Sequence, residues 1–84
     1  MQVTVRFFAA LQEAVGRREL AFDIEPGATV EHLLELLSGE YPRLGPLCQA
    51  AVPSVNHEYS SHTTELHDGD EIVFIPPVSG GRDV

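Results

Sequence analysis

A turn, an apolar strand, a proline pair and two glycines follow one another in Asp68-Gly-Asp-Glu-Ile-Val-Phe-Ile-Pro-Pro-Val-Ser-Gly-Gly81. The Asp-Gly-Asp triplet is typical of a tight turn. Residues 71–75 are largely apolar on both faces of a strand, which predicts a central position in a sheet. Two prolines then fix φ and remove two backbone donors, so the chain must leave the sheet as an extended stalk. We therefore expect a domain over residues 1–75 and an extended tail with Gly-Gly over residues 76–84.

Two more strands are predicted near the start of the chain. Apolar and polar side chains alternate in residues 2–8 and 18–24, which is the pattern of a strand with one face exposed to solvent. Residues 9–15 between them are good helix formers, and Gly16 supplies a stop. A short strand is expected within residues 53–60.

The clearest helical pattern covers residues 30–37, where four apolar side chains recur at i, i+3, i+4 and i+7. Thr29 is the predicted N-cap, and Ser38-Gly39 the predicted end. A short helix between loops is expected within residues 40–52. The whole order predicts an α+β protein with a mixed sheet and one main helix packed on one face, the order of a ubiquitin-like β-grasp.

Composition narrows the function. The 84 residues contain five arginines, no lysine and 13 acidic residues, for a net charge of −8. Such an acidic chain disfavours nucleic acid and anionic membranes as partners. One cysteine, no signal-like start and no membrane-length apolar run favour a reducing, cytoplasmic location. A chain this short rarely encloses a full catalytic constellation, so we do not expect a stand-alone enzyme.

The tail allows two interpretations. Gly-Gly after a stiff stalk can thread a channel too narrow for side chains and present an open carboxylate. The alternative is an inert, flexible terminus, which is common in small domains.

Three stretches together resemble a known family: residues 6–16, Val55-Asn56, and residues 66–81. In them the sequence resembles the molybdopterin synthase small subunits, which are MoaD-type sulfur carriers of the MoaD/ThiS superfamily. The third stretch is the most specific, because its turn, strand, Pro-Pro-Val and Gly-Gly occur in the family's order and spacing. The resemblance covers residues 2–81.

The resemblance implies a reaction at Gly81. In this family an E1-like enzyme adenylates the terminal glycine with ATP, and sulfur then replaces the adenylate to give a thiocarboxylate. The tail, here Pro76, Pro77, Val78, Ser79 and Gly80, enters the large subunit, where sulfur passes to precursor Z in molybdenum cofactor biosynthesis. The large subunit supplies the catalytic side chains, and the carrier itself binds no cofactor.

The resemblance also implies a docking patch that contains Phe8 and Ile75, to which we add Tyr59. Alternation cannot bury both Phe7 and Phe8 on one face, and the alternative places both Phe8 and Ile75 in the core. One departure from the family is Arg82-Asp-Val84 after Gly81. Adenylation requires a trimming protease to remove these residues, or separation from a longer fusion; a non-functional paralogue is the third possibility.

The sequence also allows three other functions. A related carrier would serve thiazole or cysteine synthesis, a ubiquitin-like modifier would be joined to lysines of other proteins, and an interaction module would have an inert tail. His57, His62 and His67 lack the spacing of a metal site, so no metal is expected. Cys48 is either a nucleophile or, as we favour, a small buried side chain.

Overall fold

The structure, a computed structural model, describes residues 1–75, and the predicted tail over residues 76–84 lies outside that range. Five strands form one mixed sheet in the order β2-β1-β5-β3-β4, accompanied by three helices within the described range. The elements, in chain order, are β1 (Gln2–Arg6), α1 (Ala9–Val15), β2 (Glu19–Asp23), α2 (Val30–Glu40), α3 (Leu44–Ala50), β3 (Val52–Val55), β4 (Glu58–Tyr59) and β5 (Glu71–Ile75).

The last described strand is the middle strand of the sheet, as predicted. β5 pairs in parallel with β1 and antiparallel with β3, while β1 pairs antiparallel with β2, and β3 with β4. Ile72 and Phe74 of β5 are fully buried. This mixed sheet with helices on one face is the ubiquitin-like β-grasp that the element order predicted.

One hydrophobic core joins the inner face of the sheet to the helices. Apolar side chains alternate along each strand, so every second residue points to the helices. Each helix in turn packs one apolar stripe against the sheet. The fully buried members of this core are Val3, Val5, Phe7, Leu11, Val30, Leu33, Leu37, Leu44, Cys48, Leu66, Ile72 and Phe74.

The main helix begins as predicted but runs further than predicted. The Thr29 hydroxyl oxygen accepts from the His32 amide at 3.4 Å, and the Thr29 amide donates to His32 Nδ1 at 3.0 Å. The predicted end at Ser38-Gly39 is wrong, because the helix continues to Glu40. Tyr41 then leaves the helical region, with φ −132° and ψ 83°, as expected where a following proline disfavours the helical conformation.

The first strand ends before its predicted boundary. β1 stops at Arg6 and not at residue 8, and Phe7 and Phe8 connect it to α1. Phe7 is buried, whereas Phe8 is 51% exposed and extended at the N-cap of α1. The alternative that places Phe8 in the core is therefore wrong, since alternation sends Phe7 and Phe8 to opposite sides.

The second half of the chain contains one more strand than predicted. The short helix expected within residues 40–52 is α3, with Pro46 in its first turn, where the missing N–H costs nothing. The strand expected within residues 53–60 is instead two strands, β3 and β4, joined at Asn56 and His57. Both of these residues have positive φ, at 51° and 70°, as type I′ hairpin turns require.

Candidate functional site

The strand that leads into the tail ends beside the end of β1. The parallel register pairs Arg6 with Val73, so Phe8 and Ile75 each lie two residues further along neighbouring chain segments. Both therefore lie at the same end of these two strands, which is the end from which the chain continues to residue 76. The structure thus brings two of the sequence-predicted docking residues to the point where the described chain meets the tail.

Strand register collects further apolar side chains on the outer face of the sheet. Val52 pairs with Ile75, and Ser54 pairs with both Val73 and Tyr59. The intervening pair of Pro53 and Phe74 points to the helices. We define the outer-face patch by its apolar members, which are Phe8, Val52, Tyr59, Val73 and Ile75.

The outer-face patch is largely accessible to solvent. Phe8 is 51%, Val52 41% and Tyr59 78% exposed, while Val73 and Ile75 are half-buried. Exposed apolar surface that is contiguous favours a docking site over a random surface feature. Sequence reasoning missed Val52 and Val73, although the alternation of β5 about its buried residues, extended to β3, would have identified them.

Charged side chains border the outer-face patch. Arg6 Nη1 lies 3.2 Å from Glu71 Oε2, and Arg6 Nε lies 3.7 Å from Glu19 Oε1. The second carboxylate oxygen of Glu71, Oε1, lies 3.5 Å from His57 Nε2. These pairs are exposed, and such pairs contribute little to stability. They give the apolar surface a polar border with both signs of charge.

A buried carboxylate fixes the start of β5. Asp70 is 8% exposed, and its side chain accepts from Asn56 Nδ2 at 2.8 Å and from the His67 amide at 2.7 Å. The Asp70 carbonyl in turn accepts from the Thr4 amide at 3.0 Å. These bonds hold the Asp68-Gly69-Asp70 turn against both neighbouring strands. They therefore set the register with which the tail-bearing strand enters the sheet.

Cys48 is not placed to act as a nucleophile. It lies in α3 within the core and is fully buried. Burial raises the pKa of the Cys48 thiol to about 11, because desolvation penalises the thiolate. The interpretation of Cys48 as a small buried side chain is confirmed.

Residues 1–75 offer little for other kinds of site. Within them, no group of three or more His, Cys, Asp and Glu side chains is arranged to hold a metal ion. None of the helices in this part of the chain has the length and apolarity to cross a membrane. An open groove of about 740 Å³ lies between the β2–α2 loop and α2 and includes Asp23, Ile24, His32 and Leu36. The groove borders the start of β1 and therefore lies away from the end of β5, where the tail begins.

The chain matches known proteins over nearly its whole length. The model of the ThiS family matches residues 5–81. The molybdopterin synthase sulfur carrier subunit of Chlamydomonas reinhardtii is 37% identical over 83 residues, which cover 96% of this chain and all of that protein.

Solved structures extend the likeness to the fold. SAMP1, a small archaeal modifier protein from Haloferax volcanii, superposes with a TM-score of 0.82 at 31% identity, covering 96% of this chain and 100% of the other. A chain in the complex of subunits 1 and 2 of the molybdopterin-converting factor from Helicobacter pylori superposes with a TM-score of 0.69 at 27% identity, covering 96% and 100%. Since the family match spans residues 5–81, the chain belongs to the ThiS family, the MoaD/ThiS superfamily that its sequence resembles.

Proposed function

We propose that this chain is the sulfur-carrier small subunit of a molybdopterin synthase and that Gly81 bears the sulfur. The observation that carries the proposal is the place of β5: the central strand of the sheet leads directly into the Pro-Pro and Gly-Gly segment. The family match continues through that segment and ends at Gly81, which supports a role for this glycine.

The proposed chemistry needs only the carboxylate of Gly81. A carboxylate oxygen attacks the α-phosphorus of ATP on an E1-like enzyme, and pyrophosphate leaves. A sulfur donor then displaces AMP from the acyl carbon to give a thiocarboxylate. The large subunit transfers that sulfur to precursor Z, and water restores the carboxylate. In this proposal the acids and bases belong to the partners.

The proposal includes removal of Arg82-Asp-Val84. Hydrolysis of the bond between Gly81 and Arg82 adds one water and frees the carboxylate that adenylation requires. A trimming protease or the separation of a longer chain would supply this step. The end of the family match at Gly81 supports it. The processing and the sulfur transfer are proposed to take place in the cytoplasm.

We assign the docking of both partners to the outer-face patch. Phe8, Tyr59 and Ile75 are the residues on which this part of the proposal rests, with Val52 and Val73 completing the surface. The patch is continuous with the start of the tail, so a partner that covers it can receive Gly81 at the same time. The complex formed by the Helicobacter pylori relative supports a large subunit as one such partner.

A ubiquitin-like modifier is the second candidate function. The likeness to SAMP1, a small archaeal modifier protein, favours it, because the same activated glycine can be transferred to an amine. The two functions part after activation: one ends in a thiocarboxylate and the other in an isopeptide bond to a second protein.

Intact-mass spectrometry of the protein purified from its own host tests the proposal. We expect a species that ends at Gly81 with one oxygen replaced by sulfur. Adducts on other proteins that carry this chain would favour the modifier. A single species that ends at Val84 without sulfur would contradict both functions for this form.

An adenylation assay with the activating enzyme and ATP gives the second test. Truncation after Gly81 is expected to permit adenylation, and further deletion of Gly81 to abolish it. Equal activation of the two forms would contradict the role of the terminal glycine.

A further inference from the structure

The chain contains no lysine, so none of its side chains carries a primary amine. Of the lysine and arginine side chains in the 84 residues, all five are arginines. A guanidinium stays protonated at any physiological pH and is not an acyl acceptor, whereas a lysine amine is. An activated Gly81 carboxyl therefore meets no isopeptide acceptor on the side chains of its own molecule or of a second copy.

The single thiol is also withheld from reaction. Cys48 lies in the core with no exposed surface. Burial raises the pKa of its thiol to about 11, so the nucleophilic thiolate is scarce at neutral pH. Acyl transfer from the activated tail to this sulfur is therefore not open in the folded protein.

The remaining groups give no stable side-chain adduct. Hydroxyls stay protonated near neutral pH and attack poorly without an adjacent base. Exposed imidazoles such as His57 and His67 can accept an acyl group, but an acyl-imidazole is itself hydrolysed by water. The α-amine of Met1 donates to the Ile24 carbonyl at 2.9 Å and lies at the start of β1. Because β1 and β5 are parallel, the start of β1, with this amine, and the end of β5 lie at opposite ends of the strands.

We propose that the side chains of this carrier are chemically inert toward its own activated carboxyl. Activated copies are then not consumed by one another and persist until a partner takes the acyl group or its sulfur. Amide formation would need a neutral amine to attack the acyl carbon, AMP to leave and the amine to lose a proton, and no side chain supplies that amine. Where the chain acts as a modifier, each linkage to a target therefore holds one copy, and no chain of copies grows on its side chains.

The inference rests on the proposed activation of Gly81, but its test does not depend on an activating enzyme. The probe is the chain ended at Gly81 and prepared as a C-terminal thioester of 2-mercaptoethanesulfonate. Reductive methylation first blocks the α-amine, which is the sole primary amine in this chain. The thioester is incubated at high protein concentration and pH 9, where roughly 4% of lysine amines are neutral. Products are separated by denaturing gel and identified by intact mass.

The wild-type thioester is expected to give hydrolysed monomer and no covalent dimer or cyclised product. Arg18→Lys adds one amine at an exposed position whose backbone carbonyl accepts from the Phe7 amide at 2.8 Å, on the edge where the tail begins. In this variant and in its control the α-amine is blocked by N-terminal acetylation instead of methylation, so that the new lysine is the one free amine. We expect amide-linked dimer or cyclised monomer from this variant, and none from the matched Arg18→Gln control.

Self-linked product from the methylated wild type would overturn the inference, as would an Arg18→Lys variant that stays unlinked. The second result would mean that the absence of lysine is not what prevents linkage. Failure of the proposed function has a different signature, which is the absence of adenylation by the activating enzyme. Chemical activation bypasses that step, so the two failures are distinguishable.

Discussion

The side-chain amide of Asn56 binds the Asp70 carboxylate and the Glu71 backbone at once. Its Nδ2 donates to Asp70 Oδ1 at 2.8 Å, and its Oδ1 accepts from the Glu71 amide at 2.9 Å. The backbone amide of Asn56 also donates to the Glu71 carbonyl at 2.8 Å. One residue of the β3–β4 turn thus satisfies a buried carboxylate and extends the pairing of β5.

Removing the Asn56 side chain should destabilise the domain. Asn56→Gly keeps the positive φ of 51° accessible, so the loss comes mainly from the two side-chain hydrogen bonds. We expect the free energy of unfolding to fall by about 1–3 kcal/mol in urea titrations, because Asp70 loses a partner while buried. In the double variant with Asp70→Ala, the loss should be less than the sum of the single losses. Additive losses would show that the two side chains are not coupled.

The turn residue His57 should be replaceable by glycine with a gain. His57 has φ 70°, a conformation that costs a non-glycine residue on the order of 1 kcal/mol. We expect His57→Gly to raise the midpoint of urea unfolding. Gly69→Ala is the matched opposite, because Gly69 has φ 86° and open space where a Cβ would lie. It should lower the midpoint, and a shift of the same sign in both variants would contradict the role of backbone strain.

The buried thiol should make stability depend on alkaline pH. The pKa of the Cys48 thiol is raised from 9.0 to about 11 in the fold, so the unfolded chain loses its proton first. The contribution of the protonated thiol to the free energy of unfolding is complete below pH 9. It is lost as the pH rises towards 11, and the loss is on the order of 2 kcal/mol in all. Urea unfolding at pH 7, 9 and 10.5 measures it. Cys48→Ala, although less stable throughout, should show a smaller fall, and parallel curves would contradict the prediction.

Docking through the outer-face patch predicts a selective loss of binding. Phe8→Ser should weaken the complex with the large subunit by about tenfold or more, as loss of an exposed aromatic anchor does. The fold should survive, because Phe8 is 51% exposed and occupies an N-cap position that favours serine. Leu36→Ser is the matched control on α2, where Leu36 is 44% exposed. Equal weakening by both variants, measured by calorimetry, would remove the patch from the interface.

Local patterns in the sequence predicted most of the fold. The central position of β5 followed from an apolar run, and the start of α2 from Thr29 and the spacing behind it. The end of α2 could not be predicted from Ser38-Gly39, because glycine is tolerated within a helix whose other side chains pack. The β3–β4 hairpin was missed because its turn uses Asn-His, and the expected signal for positive φ at the second position is glycine.

The candidate site was only partly predictable for a related reason. The family resemblance predicted a docking patch with Phe8 and Ile75, to which Tyr59 was added, whereas Val52 and Val73 join them only through strand register. Register depends on which strands are neighbours, and the order of strands in a sheet is only weakly predictable from a single sequence. Likewise the Asn56–Asp70 bond joins residues whose proximity follows from the antiparallel pairing of β3 with β5. The tail, with Gly81, lies outside the described residues and stays a prediction.

The parallel pairing of β1 with β5 has a consequence for how the protein is made. Val5, synthesised near the start, has Ile72 as its partner in the sheet, and the Gln2 amide donates to Asp68 Oδ1. A nascent chain on the ribosome therefore lacks the middle strand of its sheet until almost all of the domain has emerged. Pairing at such sequence separation is slow to form. Because β5 directly precedes the Pro-Pro and Gly-Gly segment, closure of the sheet and synthesis of that segment fall close together, and a product that stops before β5 has neither a finished sheet nor a glycine to activate.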